Sequence, residues 1–302
     1  MLLKRRLWEI RLQNIDEQII ILRNRGLIIE NEKKAREILL DIGYFRLGFY
    51  LFPFKENYPE KDNRNHQYKE NSNLKDAVDL YYFDYSLRLI LLKYINRIEI
   101  NFKTFLTNVV SIKYKEIPTW FVHPSIVSGH YISTFEDKVY NNEFKKNPVI
   151  KHHHKEHIND KYAPAWKTIE FMTFGAIILL YHALKDEDIK DKISEHYGIK
   201  KRTIFENYIE IVKYIRNTCA HGGVLFDLAM PKSVKKGPAW KENNNNHNLY
   251  AAIQVIHYMV SQISMNRANE LRDELNKLFD EISEMSSVYD IVIKTSGYKR
   301  II

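Results

Sequence analysis

Residues 74–115 run for 42 positions without a glycine or a proline. Within them Leu80, Phe83, Leu87, Leu91, Tyr94, Ile98, Phe102, Phe105 and Val109 recur at steps of three and four. That period lays apolar side chains along one stripe of an α-helix, and a strand cannot present it. One helix over this stretch would be roughly 60 Å long, so the core must be arranged around a helical spine. The composition agrees. Only 10 Gly and 8 Pro among 302 residues leave few positions for turns, and 45% hydrophobic residues suffice for a packed interior. The expected fold class is all-α.

Several function classes fall away on composition. A single cysteine, Cys219, excludes an intramolecular disulfide and any multi-cysteine zinc finger. The longest apolar run, Phe174 to Tyr181 with its one glycine, is far short of the ~18 residues of a spanning helix. The opening MLLKRRLWEIRLQNIDEQ mixes charges into its apolar positions and lacks a signal-peptide core. A cytoplasmic protein without membrane contact is the expectation. Lys plus Arg number 46 against 38 Asp plus Glu, a net charge of +8, which favours a polyanionic partner. Twenty Tyr and fifteen Phe add faces for base stacking, although a helical core uses such residues too.

Residues 14–42 read as two short helices around Arg25-Gly26, followed by an aromatic segment over 43–54 and an exposed polar loop over 55–73. After the long helix, residues 118–163 mix short helices, a turn at Gly129 and a histidine-rich run. Pro164 suits the first turn of a helix over 163–175. Helices are predicted at about 173–184, 186–196, 200–221, 249–264 and 267–285, with a second exposed loop over 231–248 that is basic in its first half. The expected organisation is an N-terminal helical extension over 1–73 and a helical body over 74–302.

The segment from Tyr214 to Gly223 carries the chemistry. Arg216 and His221 stand five positions apart, about 140° around a helix and 7.5 Å along it. Asn217 and His221 are one turn apart and share a face, so the amide is placed to hold the imidazole's tautomer. Gly222-Gly223 would stop the helix just after the histidine. Such a set suits RNA cleavage by the RNA's own 2′-hydroxyl. An imidazole moves protons near neutrality, and a permanent guanidinium grips the crowded phosphorane. No carboxylate cluster for a metal is apparent, and no cofactor is expected. Fifteen Arg and twelve His yield about 0.6 chance cases of this spacing. A surface ion pair for Arg216 and a helix cap for His221 are therefore the competing reading.

With its flanks the segment resembles the Arg-x4-6-His motif of HEPN-domain ribonucleases. More narrowly, the chain resembles the Abi-2 abortive-infection family (AbiD/AbiF-like phage-resistance proteins). The stretches that carry the likeness are IGYFRLGFYLFPF at 42–54, LYYFDYSLRLILLKYINRIEI at 80–100, PAWKTIEFMTFG at 164–175 and IRNTCAHGGVLF at 215–226. They lie in the family's order and cover about 40 to 280. The resemblance implies a HEPN-type helical bundle and a metal-independent endoribonuclease leaving 2′,3′-cyclic phosphate and 5′-hydroxyl ends. Arg216 and His221 match the catalytic pair and Asn217 the polar residue beside the arginine. It further implies an RNA substrate, phage defence or a toxin–antitoxin setting with a small antitoxin RNA, and a homodimer, since the chain has no second such motif. Gly222-Gly223 depart from the larger residues expected after the histidine.

Other residues have two readings each. Glu99 or Glu170 would pair with Arg216 and orient it, or sit in ordinary interhelix ion pairs. Arg46, within its aromatic cluster, would grip a base or phosphate, or merely pack. Lys232, Lys235, Lys236 and Lys241 would track an RNA backbone, or solubilise a loop. His153 and His157, at i and i+4, form half of a metal site without an evident third ligand. Cys219 reads as a buried small residue. The alternative to catalysis is an RNA-binding sensor or scaffold, or a protein-interaction component with no RNA affinity.

Overall fold

The computed structural model describes residues 14–60, 66–240 and 245–301. Among them are fourteen α-helices and no β-strand, the all-α class expected. The opening residues 1–13 and Lys241 lie outside the described residues. The helices are α1 (Ile15–Asn24), α2 (Glu32–Asp41), α3 (Tyr44–Leu51), α4 (Leu74–Lys113), α5 (Gly129–Lys138), α6 (Asn142–Lys145), α7 (Pro148–Glu156), α8 (Ala165–Phe171), α9 (Phe174–Ala183), α10 (Glu187–His196), α11 (Arg202–Ala220), α12 (Leu249–Ile263), α13 (Met265–Ile282) and α14 (Ser286–Ser296). No helix among the described residues is long and apolar enough to cross a membrane.

Short polar caps start most of these elements. Asn14 and Glu17 form a reciprocal capping box on α1. Asn31, Ser128, Asn141, Asn147, Thr173, Asp186 and Asn248 each accept from a backbone N–H in their helix's first turn. The caps also correct the sequence reading. Ser128 caps α5, so Gly129 opens a helix rather than a turn. Thr173 caps α9 after an extended Met172, so the helix begun at Ala165 ends at Phe171. Helix α14, which buries Val288 and Val292, was not among the predicted helices.

The chain divides into two compact units, with boundaries inside α4, inside α13 and after Tyr298. Residues 1–87 and 277–298 make the first. Here Leu47, Tyr50, Leu51 and Phe54 of the aromatic segment are buried while Phe45 is exposed. Arg46 is half-buried on α3. The polar 55–73 segment is pinned rather than wholly exposed. Lys55 bridges Tyr68, Ser72 Oγ donates to the Phe54 carbonyl at 3.2 Å, and all three residues are buried.

The second unit holds residues 88–276 and 299–302. Phe102 of α4 meets Phe174 and Tyr181 of α9 and Phe205 of α11, with ring centroids 5.9–6.3 Å apart. Such offset aromatic contacts add specificity to apolar burial. Beyond Phe102 the buried stripe of α4 moves to Leu106 and Val110, one residue past the expected Phe105 and Val109. Phe105 instead stacks on His196 at 3.8 Å. A 3.6-residue turn drifts against any fixed pattern of threes and fours over this length.

In the first unit, Tyr50 Oη donates to Asp84 Oδ2 at 2.9 Å, and both residues are fully buried. Tyr50→Phe removes a donor from a buried carboxylate. It should cost about 1–3 kcal/mol, read as a lower urea midpoint with an unchanged denaturant slope.

Candidate functional site

Helix α11 buries Phe205, Tyr208, Ile209, Val212, Ile215 and Cys219, which fixes its rotation. Arg216 and Asn217 then fall toward solvent, and His221 follows as the C-cap residue. The His221 N–H donates to the Asn217 carbonyl at 3.0 Å. Gly222 follows in the left-handed region at φ +66°, a conformation that glycine reaches without steric cost. Gly223 donates to the Thr218 carbonyl at 2.7 Å, and a Cβ there would lie 2.6 Å from Thr218 Cγ2 and 3.0 Å from its carbonyl oxygen. The two glycines thus have separate reasons, one conformational and one of close approach. Larger residues would move the turn that carries His221.

Arg216 is held from α4. Its Nε lies 3.5 Å from Glu99 Oε2, and the Glu99 side chain is only 12% exposed. Lys103, one turn along, places its Nζ 3.2 Å from the other Glu99 oxygen and donates to the Glu170 carbonyl at 3.4 Å. One carboxylate between two cations leaves the cluster net positive. Nη1 of Arg216 reaches Asn217 Oδ1 at 3.5 Å, and its Nη2 donors face no described partner. The guanidinium is therefore anchored by one edge with donors to spare, the geometry needed to grip phosphate oxygens.

The structure sorts the sequence candidates. Glu99 meets Arg216, whereas Glu170 joins the cluster only through its main-chain carbonyl and keeps its own carboxylate exposed. Asn217 meets Arg216 rather than His221, and the exposed His221 ring makes no hydrogen bond or ion pair with described residues. Arg88 was not foreseen. It is buried on α4, eleven residues before Glu99, and its Nη1 donates to the Gly223 carbonyl at 3.1 Å. Eleven residues is about three helical turns, so one stripe of α4 supports both ends of the motif. An arginine in an apolar stripe is the signal for such a role.

Along the outward stripe of α11, Asn207, Glu210, Tyr214 and Asn217 line two adjoining clefts of about 660 and 160 Å³. Lys232 lines both, and Lys235 lines the larger. The segment carrying them is fastened to α11: Asn207 Oδ1 accepts from the Lys235 N–H at 2.8 Å, and Asn207 Nδ2 donates to the Ser233 carbonyl at 3.0 Å. Val234 and Ala239 are buried, so the expected loop is half-anchored. Lys236 stands apart, 5.1 Å over the Trp240 ring. Among the described residues no group of three or more His, Cys, Asp or Glu is placed to hold a metal ion.

This is an all-α protein with a guanidinium, an amide and an imidazole at one helix end. The chain belongs to the Abi-like protein family, whose model matches residues 37–227. The family points to abortive infection, a form of phage defence. No curated protein and no solved structure matches the chain.

Glu210, on the groove wall, has its carboxyl held down from 4.5 to about 2 by His182, 3.7 Å away, and by Lys213 at 2.5 Å. The His182 contact is too long for a hydrogen bond, so Lys213 supplies the closer partner. A lowered carboxyl pKa stabilises the fold fully above its unfolded value, and the benefit is lost as pH falls through the folded one. Glu210→Gln should therefore lower stability at pH 7. It should also flatten the acid decline between pH 4.5 and about 2, measured by urea unfolding across pH.

Proposed function

We propose that the chain is a metal-independent endoribonuclease of the HEPN type, acting in phage defence by abortive infection or as the toxin of a toxin–antitoxin pair. The observation that carries this reading is the Arg216 guanidinium, held through Nε by Glu99 with its Nη2 facing no described partner, five residues before an exposed His221 whose ring meets no described partner. The substrate's 2′-hydroxyl attacks the adjacent phosphorus while the 5′-oxygen leaves. One proton is removed and one delivered, both within the competence of an imidazole. Arg216 neutralises the charge that accumulates on the non-bridging oxygens. Asn217 braces the guanidinium, and Lys232 and Lys235 hold the flanking backbone along α11. Products carry 2′,3′-cyclic phosphate and 5′-hydroxyl ends.

A single copy holds one arginine–histidine set, with no described partner orienting the imidazole. Two copies meeting about a twofold axis at their His221 ends would pair the sets across one phosphodiester. A small antitoxin RNA would bind the same basic surface. One observation favours a second reading, an RNA-binding sensor or scaffold: the groove with Lys232 and Lys235 is formed without His221.

Purified protein incubated with total RNA in EDTA separates the readings. Cleavage by the native chain that falls at least a hundredfold in both Arg216→Ala and His221→Ala, with unchanged helicity and a mass twice 36.1 kDa by light scattering, is the expected outcome. Retained cleavage in both variants contradicts it. A mobility shift without cleavage in the native chain selects the sensor.

A further inference from the structure

A second concave site lies in the same unit, where α7, α8 and the segment between them meet. It is a cleft of about 520 Å³ lined by Trp166, Lys167, His157, Asn159, Asp160 and Lys161 among others. That volume lies within the range of small-molecule sites, about 300–1,000 Å³. Trp166 is 59% exposed, although burying a tryptophan is among the larger apolar gains a helix can make. The fold leaves this ring face open.

The surroundings define what would cover it. Lys167, the next residue, is half-exposed and makes no ion pair with described residues. Lys161 pairs with Glu136 and lies 5.2 Å over the Tyr162 ring. With Lys161 committed to Glu136, Lys167 is the lining cation left over, and the lining carboxylate of Asp160 is itself engaged 3.2 Å from His153 Nε2. His153 is only 4% exposed with both ring nitrogens sealed from solvent, so neither nitrogen is offered to a ligand. It carries His157 instead, their rings stacked at 4.7 Å. Asn159 adds an exposed amide with both donor and acceptor. A planar π face, a second aromatic ring, spare ammonium charge and an amide match the parts of a nucleotide: base, phosphate and base edge.

We propose that this cleft binds a nucleotide, its base stacked on Trp166 and its phosphate held by Lys167. The cleft shares α8 with the Arg216 cluster, since the Glu170 carbonyl that accepts from Lys103 lies one turn beyond Trp166. A nucleotide here is either a free mononucleotide or a unit of an RNA strand, and only the second depends on the nuclease reading.

Isothermal titration of the Arg216→Ala/His221→Ala chain tests the proposal independently of cleavage. The titrants are AMP, GMP, CMP, UMP, inorganic phosphate and a random-sequence RNA octamer. At least one mononucleotide, or the octamer, should bind. Affinity should fall about tenfold or more in Trp166→Ala and severalfold in Lys167→Gln, and stay within about threefold in Trp166→Phe, which keeps a stacking face. Mononucleotide binding identifies a free nucleotide as ligand. Trp166-dependent binding of the octamer alone identifies the RNA strand. The proposal is overturned if neither binds, if Trp166→Ala binds as tightly as its parent, or if inorganic phosphate binds as tightly as the best mononucleotide. Trp166 is a surface residue, and circular dichroism of each variant confirms the fold.

Discussion

The carboxylate of Glu99 ties the site to the fold. A carboxylate whose side chain is 12% exposed has lost most of its hydration, a cost that nearby cations offset. Arg216 does so from α11 and Lys103 from its own helix. Losing either cation would leave the carboxylate under-compensated, so the position of Arg216 follows from the packing of the core. α4 and α11 meet through Phe102 and Phe205 near the start of α11 and again through Glu99 and Arg216 near its end.

The same stripe of α4 fixes the turn after the histidine. Buried Arg88 donates to the Gly223 carbonyl, and Gly223 is drawn against Thr218 too closely for a side chain. The result is a guanidinium anchored on one edge and an imidazole on a defined backbone whose ring meets no partner among the described residues. In the proposed reaction the first would receive a phosphate oxygen, and the second would take its orientation from substrate or from a second copy. Electrostatic stabilisation built in before substrate arrives requires no reorganisation during the reaction.

The spine was legible because a 3.6-residue period maintained from Leu80 to Phe102 admits one reading, and the helix-stopping glycines fixed the end of α11. The rest depended on tertiary contacts. Polarity assigned residues 55–73 and 231–248 to exposed loops, yet Tyr68 and Val234 are buried because backbone pairing and Asn207 draw those segments inward. Glu99 and Glu170 were equivalent candidates in the sequence. The phase of α4 turns Glu99 inward, while α8 turns the Glu170 side chain out. Arg88 was read within its motif but not for its role, since an arginine can lay its aliphatic stem in an apolar stripe and place only its tip on a carbonyl. Asn217 was placed by one-turn spacing on the face of His221, whereas the extended reach of the neighbouring guanidinium claims its amide oxygen.

The central claim is that the attacking nucleophile belongs to the RNA itself, with Arg216 and His221 serving the charge and the protons. An RNA cut by the protein at a mapped bond, resynthesised with a single 2′-deoxy nucleotide on the 5′ side of that bond, measures this directly. The account predicts that cleavage there stops while other sites are cut as before. Cleavage of the deoxy-substituted bond at an undiminished rate would contradict it.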